Sequence, residues 1–229
     1  MEIKQLSITA PFNKRSLLYA ALMFALQLFT YLVPTIFTGL LTLHDITLPV
    51  DHLIPFAPVF IIPYVLVFIE WGYCYLLAPM LGREQMGRFT AALMMGFLTI
   101  FIIFFAFPTT YTRPPQNDND GFFAKLMHMV FGIDEPSRCL PSLHCFMGWM
   151  CWRLVYKQER VKKWIRVTNF LLALLILPTT LLVKQHVIVD VPTGVLMAEL
   201  VWFIAGKTKL PERFAGEFDK LAARLNLNM

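Results

Sequence analysis

The sequence predicts an all-α, polytopic membrane protein with six transmembrane helices and both termini cytoplasmic, and three observations carry that expectation. Hydrophobic residues fill 57% of the 229 positions and Asp, Glu, Lys and Arg only 15%, against about 25% charged in an ordinary soluble domain. The apolar residues gather in runs of about 20, the length that crosses roughly 30 Å of hydrocarbon. The basic residues gather between those runs, on alternate connections, as the positive-inside rule requires. A chain of 229 residues holds one such domain, 1–229, with no room for a second of any size.

In chain order, a cytoplasmic arm (1–15) leads into a first span at Ser16–Leu43. That run is too long for a signal-peptide core and lacks a small-residue cleavage site, so it reads as a retained anchor. The second and third spans are Leu53–Leu81 and Phe89–Pro108. An outer loop (109–139) follows, in which Phe122, Phe123, Leu126, Met127, Val130 and Phe131 have helical spacing. The remaining spans are Leu140–Tyr156, Val167–Val183 and Val187–Ala205, the last containing Asp190 and Pro192. In the tail (207–229), Phe214, Phe218, Leu221 and Leu225 form an amphipathic pattern opened by Pro211 at a helix-start position. Both amphipathic segments are expected to lie along the membrane surface. The short fourth and fifth spans and the interrupted sixth place their irregularities at one end, as a water-facing site would.

Fifteen of the twenty Lys and Arg residues lie in the N-terminal arm, the second and fourth loops and the tail. The opposite connections hold Arg113, Lys125, Arg138 and Lys184, and Arg153 lies inside a span. The bias puts the termini inside and the remaining loops outside. It also turns the net charge of +5 away from a nucleic-acid partner, and the compact loops favour a bacterial plasma membrane. Glu70, Arg153 and Glu199 fall in the inner half of the spans, as a structural ion pair or as the lining of a transport path. Cys139 and Cys145 are candidates for a pair on an oxidising face or, more simply, for small buried side chains. No metal centre or cofactor is expected. His44, His52 and His128 stand alone, and Asp118 and Asp120 sit in a loop without the bidentate Glu that calcium needs.

The outer face collects the chemistry. His186 and Asp190 are four residues apart, so on a helix they share a face and the carboxylate can hold the imidazole in one tautomer. His144 supplies a second group able to move a proton at neutral pH. Pro141 and Ser142 stand at the start of the fourth span, where backbone N–H groups receive anions. Arg113, Lys184 and Arg138 are nearly all the cations on that face, and Arg113 can hold two phosphate oxygens at once. Two imidazoles, a carboxylate and fixed cations suit breakage of a phosphate ester without a metal.

At these residues the sequence resembles the type 2 phosphatidic acid phosphatase superfamily, whose signatures are Lys-x6-Arg-Pro, Pro-Ser-Gly-His and Ser-Arg-x5-His-x3-Asp. Here they appear as Arg113-Pro114 with Ala106 in place of the Lys, as Pro141-Ser142-Leu143-His144, and as His186-x3-Asp190 with Thr179 and Thr180 in place of Ser-Arg. The Leu143 form and Lys184 are similar to the phosphotransferase branch of inositol phosphorylceramide and sphingomyelin synthases. The resemblance implies that His186 is the nucleophile, Asp190 its partner, and His144 first acid and then base. It implies phosphate binding by Arg113 and Ser142, and puts Lys184 and Arg138 forward for the altered cation positions. The substrate is then a lipid phosphate at the outer leaflet, with water or a lipid or sugar hydroxyl as acceptor. The reading from another class is an anion or lipid transporter with Glu70, Arg153 and Glu199 on one path.

Overall fold

The computed structural model describes residues 5–7, 10–115 and 121–227 and is all-helical, with eight α-helices among them. Helix α1 runs Lys14–Phe37, α2 Ile61–Leu77, α3 Arg83–Ala106 and α4 Phe122–Ile133. They are followed by α5 Leu143–Val155, α6 Lys163–Leu182, α7 Asp190–Ala205 and α8 Leu210–Arg224. A short parallel pair, β1 His44–Asp45 with β2 Thr109–Thr110, ties the connection after α1 to the one after α3. Lys4 and the Asp118–Asp120 loop lie outside the described residues.

Among the described residues, four stretches are long and apolar enough to cross a membrane: Lys14–Leu40, Pro58–Leu81, Arg83–Ala106 and Lys163–Leu182. Helices α5 and α7 have 13 and 16 residues, about 20 and 24 Å at 1.5 Å per residue. They start later than the apolar runs that predicted them. The chain before α5 is held by Pro141 and the Ser142 cap, and the chain before α7 is a hydrogen-bonded turn ending at Asp190. The predicted second span also begins too early. Pro55 and Pro58 disfavour helix in the residues before them, and α2 starts only at Ile61.

Contacts between connections set the direction of each helix. At one end, Leu6 N donates to Arg160 O (2.8 Å), Gln85 Nε2 to Leu154 O (2.7 Å) and Arg88 Nη2 to Trp202 O (3.1 Å). At the other end, Ala57 N donates to Leu182 O, His44 N to Pro108 O and Ser142 N to Asp190 O. Helices α1, α2, α3, α5, α6 and α7 therefore alternate in direction. Helix α5 is central: Phe146, Met147, Met150 and Cys151 are fully buried against α2, α3, α6 and α7. The outward faces carry Phe24, Ile69, Leu98, Leu171, Leu196 and Phe203, all exposed. An apolar surface this extensive needs an apolar environment.

The two amphipathic helices turn their apolar faces towards the bundle. In α8, Ala215, Phe218 and Ala222 are buried against α3 and α1, and Asp219 is gripped by Arg15 and Arg83. Gly87 allows the approach, because a Cβ there would lie 2.2 Å from the Pro211 carbonyl oxygen. The tail helix is thus a packed part of the fold, with Leu225 at its end exposed. In α4, Ala124, Met127 and Phe131 face inwards, with Phe131 and His128 against Phe56.

All four cysteines are free and buried, so Cys139 and Cys145 are not paired. Arg153 and Glu199 form an ion pair at 3.5 Å, with Trp149 Nε1 donating to the same carboxylate at 2.6 Å. Glu70 stands apart from them, buried and without a hydrogen-bond partner for either carboxylate oxygen among the described residues.

Candidate active site

The His186–Asp190 pair forms, though not on a helix face. His186 lies in the turn between α6 and α7, and Asp190 is the first residue of α7. The turn is built by backbone bonds. Thr180 O accepts from both Gln185 N (2.9 Å) and His186 N (3.1 Å), and Asp190 N donates to Val187 O (3.0 Å). His186 Nδ1 lies 2.9 Å from Asp190 Oδ2, which also accepts from Val187 N at 3.1 Å. A carboxylate only accepts, so Nδ1 carries the proton and Nε2 the lone pair. Asp190 is fully buried and His186 nearly so.

Asp51 braces this turn from a distant part of the chain. Its Oδ1 accepts from Ile188 N and its Oδ2 from Leu48 N, both at 2.8 Å. Lys184 has a left-handed backbone (φ 55°), a conformation an L-residue adopts only when its surroundings hold it. Here its Nζ donates to the carbonyls of Asp51 (3.1 Å) and Ile54 (2.6 Å). Burial pulls the Lys184 ammonium below its ordinary pKa, opposed by Asp51. Sequence reasoning missed Asp51; its one signal is an acidic side chain two residues after Pro49.

His144, the second residue of α5, faces His186 with ring centroids 5.6 Å apart and planes at 67°. Tyr64, Trp71 and Phe68 of α2 wall its other sides, with centroids at 4.7, 5.4 and 5.6 Å. The helix start that delivers it depends on Ser142, whose Oγ accepts from Cys145 N at 3.2 Å as the N-cap. Ser142 is fully buried. Its Oγ serves as the cap acceptor, and the residue, put forward for phosphate binding, borders neither cavity described below.

Arg113 is braced on three sides. Nε donates to Tyr111 Oη (3.0 Å), Nη1 to Phe131 O (3.2 Å) and Nη2 to Gln185 Oε1 (2.9 Å). The guanidinium also lies over the Phe131 ring, 4.4 Å from its centroid. Burial pushes the Tyr111 hydroxyl well above its ordinary pKa, with Arg113 opposing. The phenol is therefore neutral and passes its own proton to Lys184 O at 3.0 Å. Arg138 sits elsewhere, buried against α1. It donates to Tyr31 Oη (3.2 Å) and Thr38 Oγ1 (3.3 Å) and lies near Asp134 (3.9 Å), and Tyr31 in turn donates to Asp134.

Two cavities meet at this centre. The more polar one, of about 440 Å³, is bordered by Thr47, Asp51, His52, Thr112 and Lys184, with Ile54, Phe56 and Leu181 also on its walls. An apolar one of about 430 Å³ runs between α1 and α2, with Leu28, Val65 and Phe68 on its walls and Arg138 on its border. His144 lines the apolar cavity alone, whereas His186, Arg113 and Tyr111 line both. The fold thus brings His186, Asp190, His144 and Arg113 together, leaves Lys184 on the polar side, and sets Arg138 against α1. An oriented imidazole with a second imidazole opposite and a fixed guanidinium nearby can attack, protonate and hold an anionic centre. No family model matches this chain, and neither a curated protein nor a solved structure does.

Proposed function

We propose that this chain is an integral membrane enzyme that breaks a phosphate ester of a lipid through a phosphohistidine on His186. The observation that carries the reading is His186 itself, held by Asp190 and facing His144 where a polar and an apolar cavity meet. A lipid phosphate has that same division, a charged head on an apolar body. His186 Nε2 attacks phosphorus, the ester P–O bond breaks, and His144 gives the departing alkoxide its proton. His144 then takes a proton from the acceptor as its oxygen displaces the imidazole, which frees His186. With water as acceptor the protein is a phosphatase; with a lipid or sugar hydroxyl it is a phosphotransferase. The motif resemblance to the type 2 phosphatidic acid phosphatases supports the same chemistry.

The reading includes six spans, cytoplasmic termini and a site at the outer face of a plasma membrane. Helices α5 and α7 are short because non-helical chain completes each crossing at the site. Such backbone is tolerated at membrane depth only when other groups satisfy it. Cys139 N and Leu140 N both donate to Thr109 Oγ1, at 3.2 and 3.1 Å, and Val187 N and Ile188 N reach the carboxylates of Asp190 and Asp51. Single-cysteine variants in a cysteine-free background, treated with an impermeant thiol reagent on intact cells, are expected to label at 113 and not at 162. Labelling at 162 alone would put the site on the other face and reject the orientation.

The activity itself is tested with purified protein and a panel of labelled lipid phosphates, with and without diacylglycerol or ceramide. Release or transfer of phosphate is expected to survive EDTA and to be blocked by vanadate, which adopts the five-coordinate geometry of phosphoryl transfer. Turnover that EDTA abolishes and Mg²⁺ restores would refute the two-histidine mechanism.

A further inference from the structure

The side chain that precedes His186 has a donor with nothing to donate to. Gln185 is buried, with 4% of its surface exposed, and lines the apolar cavity with His144, His186 and Arg113. Its Oε1 accepts from Arg113 Nη2 at 2.9 Å. A guanidinium only donates, so that bond decides which way round the amide sits. Nε2 must then present its two N–H groups on the other side. There it is shielded from solvent and meets no acceptor among the described residues. His144 Nε2, on the same cavity wall, is likewise buried without a partner. Buried polar atoms left unpaired are rare because each has lost its water for no replacement. With Trp71 Nε1 on the same cavity wall there are three of them near an oriented imidazole, and they call for a ligand that brings its own polar atoms.

We propose that Gln185 Nε2 donates to a non-bridging oxygen of the phosphoryl group that His186 attacks, forming with Arg113 a composite clamp. This rests on the phosphoryl-transfer reading above. Three of the guanidinium's N–H groups are already engaged by Tyr111, Phe131 and Gln185. The amide therefore extends the row of donors that Arg113 begins. A neutral donor suits the place, because it stabilises charge developing on the equatorial oxygens without requiring a further desolvated cation. The donor is also held rigidly before substrate arrives, which is the condition for such stabilisation to be large.

The test uses the whole protein in detergent, the lipid phosphate that the panel selects, and orthovanadate and inorganic phosphate as probes. Q185E keeps the shape and the acceptor for Arg113 but has no N–H; Q185M removes both without adding charge. In each, kcat/KM is expected to fall about 100-fold or more, the effect of removing one such donor. Vanadate inhibition should weaken in parallel, and inorganic phosphate binding by much less, since only vanadate resembles the transition state. Q185E should unfold at the temperature of the wild type. A purely structural Gln185 gives another pattern: Q185E fully active, or vanadate and phosphate weakened equally. Either result overturns the proposal while leaving the two-histidine reading intact. If Q185M does not fold, the vanadate-to-phosphate ratio in Q185E decides. Wild-type protein that neither turns over a lipid phosphate nor binds vanadate overturns both.

Discussion

His186→Ala is expected to bring turnover of every phosphate ester to background, a loss on the order of 10⁴-fold or more, as when a covalent nucleophile is removed. His186 is the imidazole that the Asp190 carboxylate holds in place to attack phosphorus. His144→Ala should behave differently. On lipid substrates the departing alkoxide needs a proton, and loss of the acid should cost about 10²- to 10⁴-fold. An activated ester such as p-nitrophenyl phosphate leaves unaided, so the first step survives and the second, still lacking its base, stalls. A phosphohistidine should then accumulate at position 186, stable in base and labile in acid, and be missing from the double variant. Label on a different residue, or full activity in His186→Ala, would end the assignment.

Gly194→Val is expected to be strongly damaging although it lies away from the reacting groups. A Cβ at Gly194 would lie 2.5 Å from the Ser142 carbonyl oxygen and 3.1 Å from both Cys145 Cβ and Phe146 N. That carbonyl already accepts from Phe146 N at 3.0 Å, and Ser142 N donates to Asp190 O at 3.1 Å. The first turn of α5 therefore cannot retreat without giving up its link to α7. Overpacking of this kind costs about 1–3 kcal/mol or more, and here it also separates the helix start carrying His144 from the turn carrying His186. Thermal unfolding in detergent should show the destabilisation, and labelling of His186 should fall with it. Gly72→Ala is the contrast, because nothing lies within 4 Å of the added methyl. Replacing glycine inside a helix should stabilise it by about 0.5–1 kcal/mol. Equal behaviour of the two variants would mean that the α5–α7 contact does not hold the site.

How much of this was legible in the sequence differs from residue to residue. The His-x3-Asp spacing pointed to the pair correctly but for a reason the fold does not use. A helix face was expected, whereas a turn closed on Thr180 O makes the contact. Ser142 was legible as a helix start, and only packing shows that its Oγ accepts the cap bond and that the residue is buried. Lys184 and Arg138 were grouped with Arg113 because all three are cations on one side of the chain. Charge counting has no distances in it, and the fold turns Lys184 towards the carbonyls of Asp51 and Ile54 and sends Arg138 to Tyr31 on α1. Asp51 was invisible as a site residue because its contact with Ile188 spans 137 positions.

The sequence by itself determined the helical class, the apolar runs, and the gathering of histidines, a carboxylate and cations in the connections at one end. Those follow from composition and local periodicity, which act over a turn or a run and can be read along the chain. Only the tertiary structure decided that α5 and α7 stop short, that α8 packs on the bundle, and that Gln185 and Asp51 join the centre. It also decided that Arg113, which borders both cavities, is tied to Gln185 beside His186, while Arg138 on the border of the apolar cavity is tied to Tyr31. These outcomes depend on which buried donor finds which acceptor across segments, and on whether a glycine lets two backbones approach. Hydropathy sums over neighbours in sequence and carries no such information.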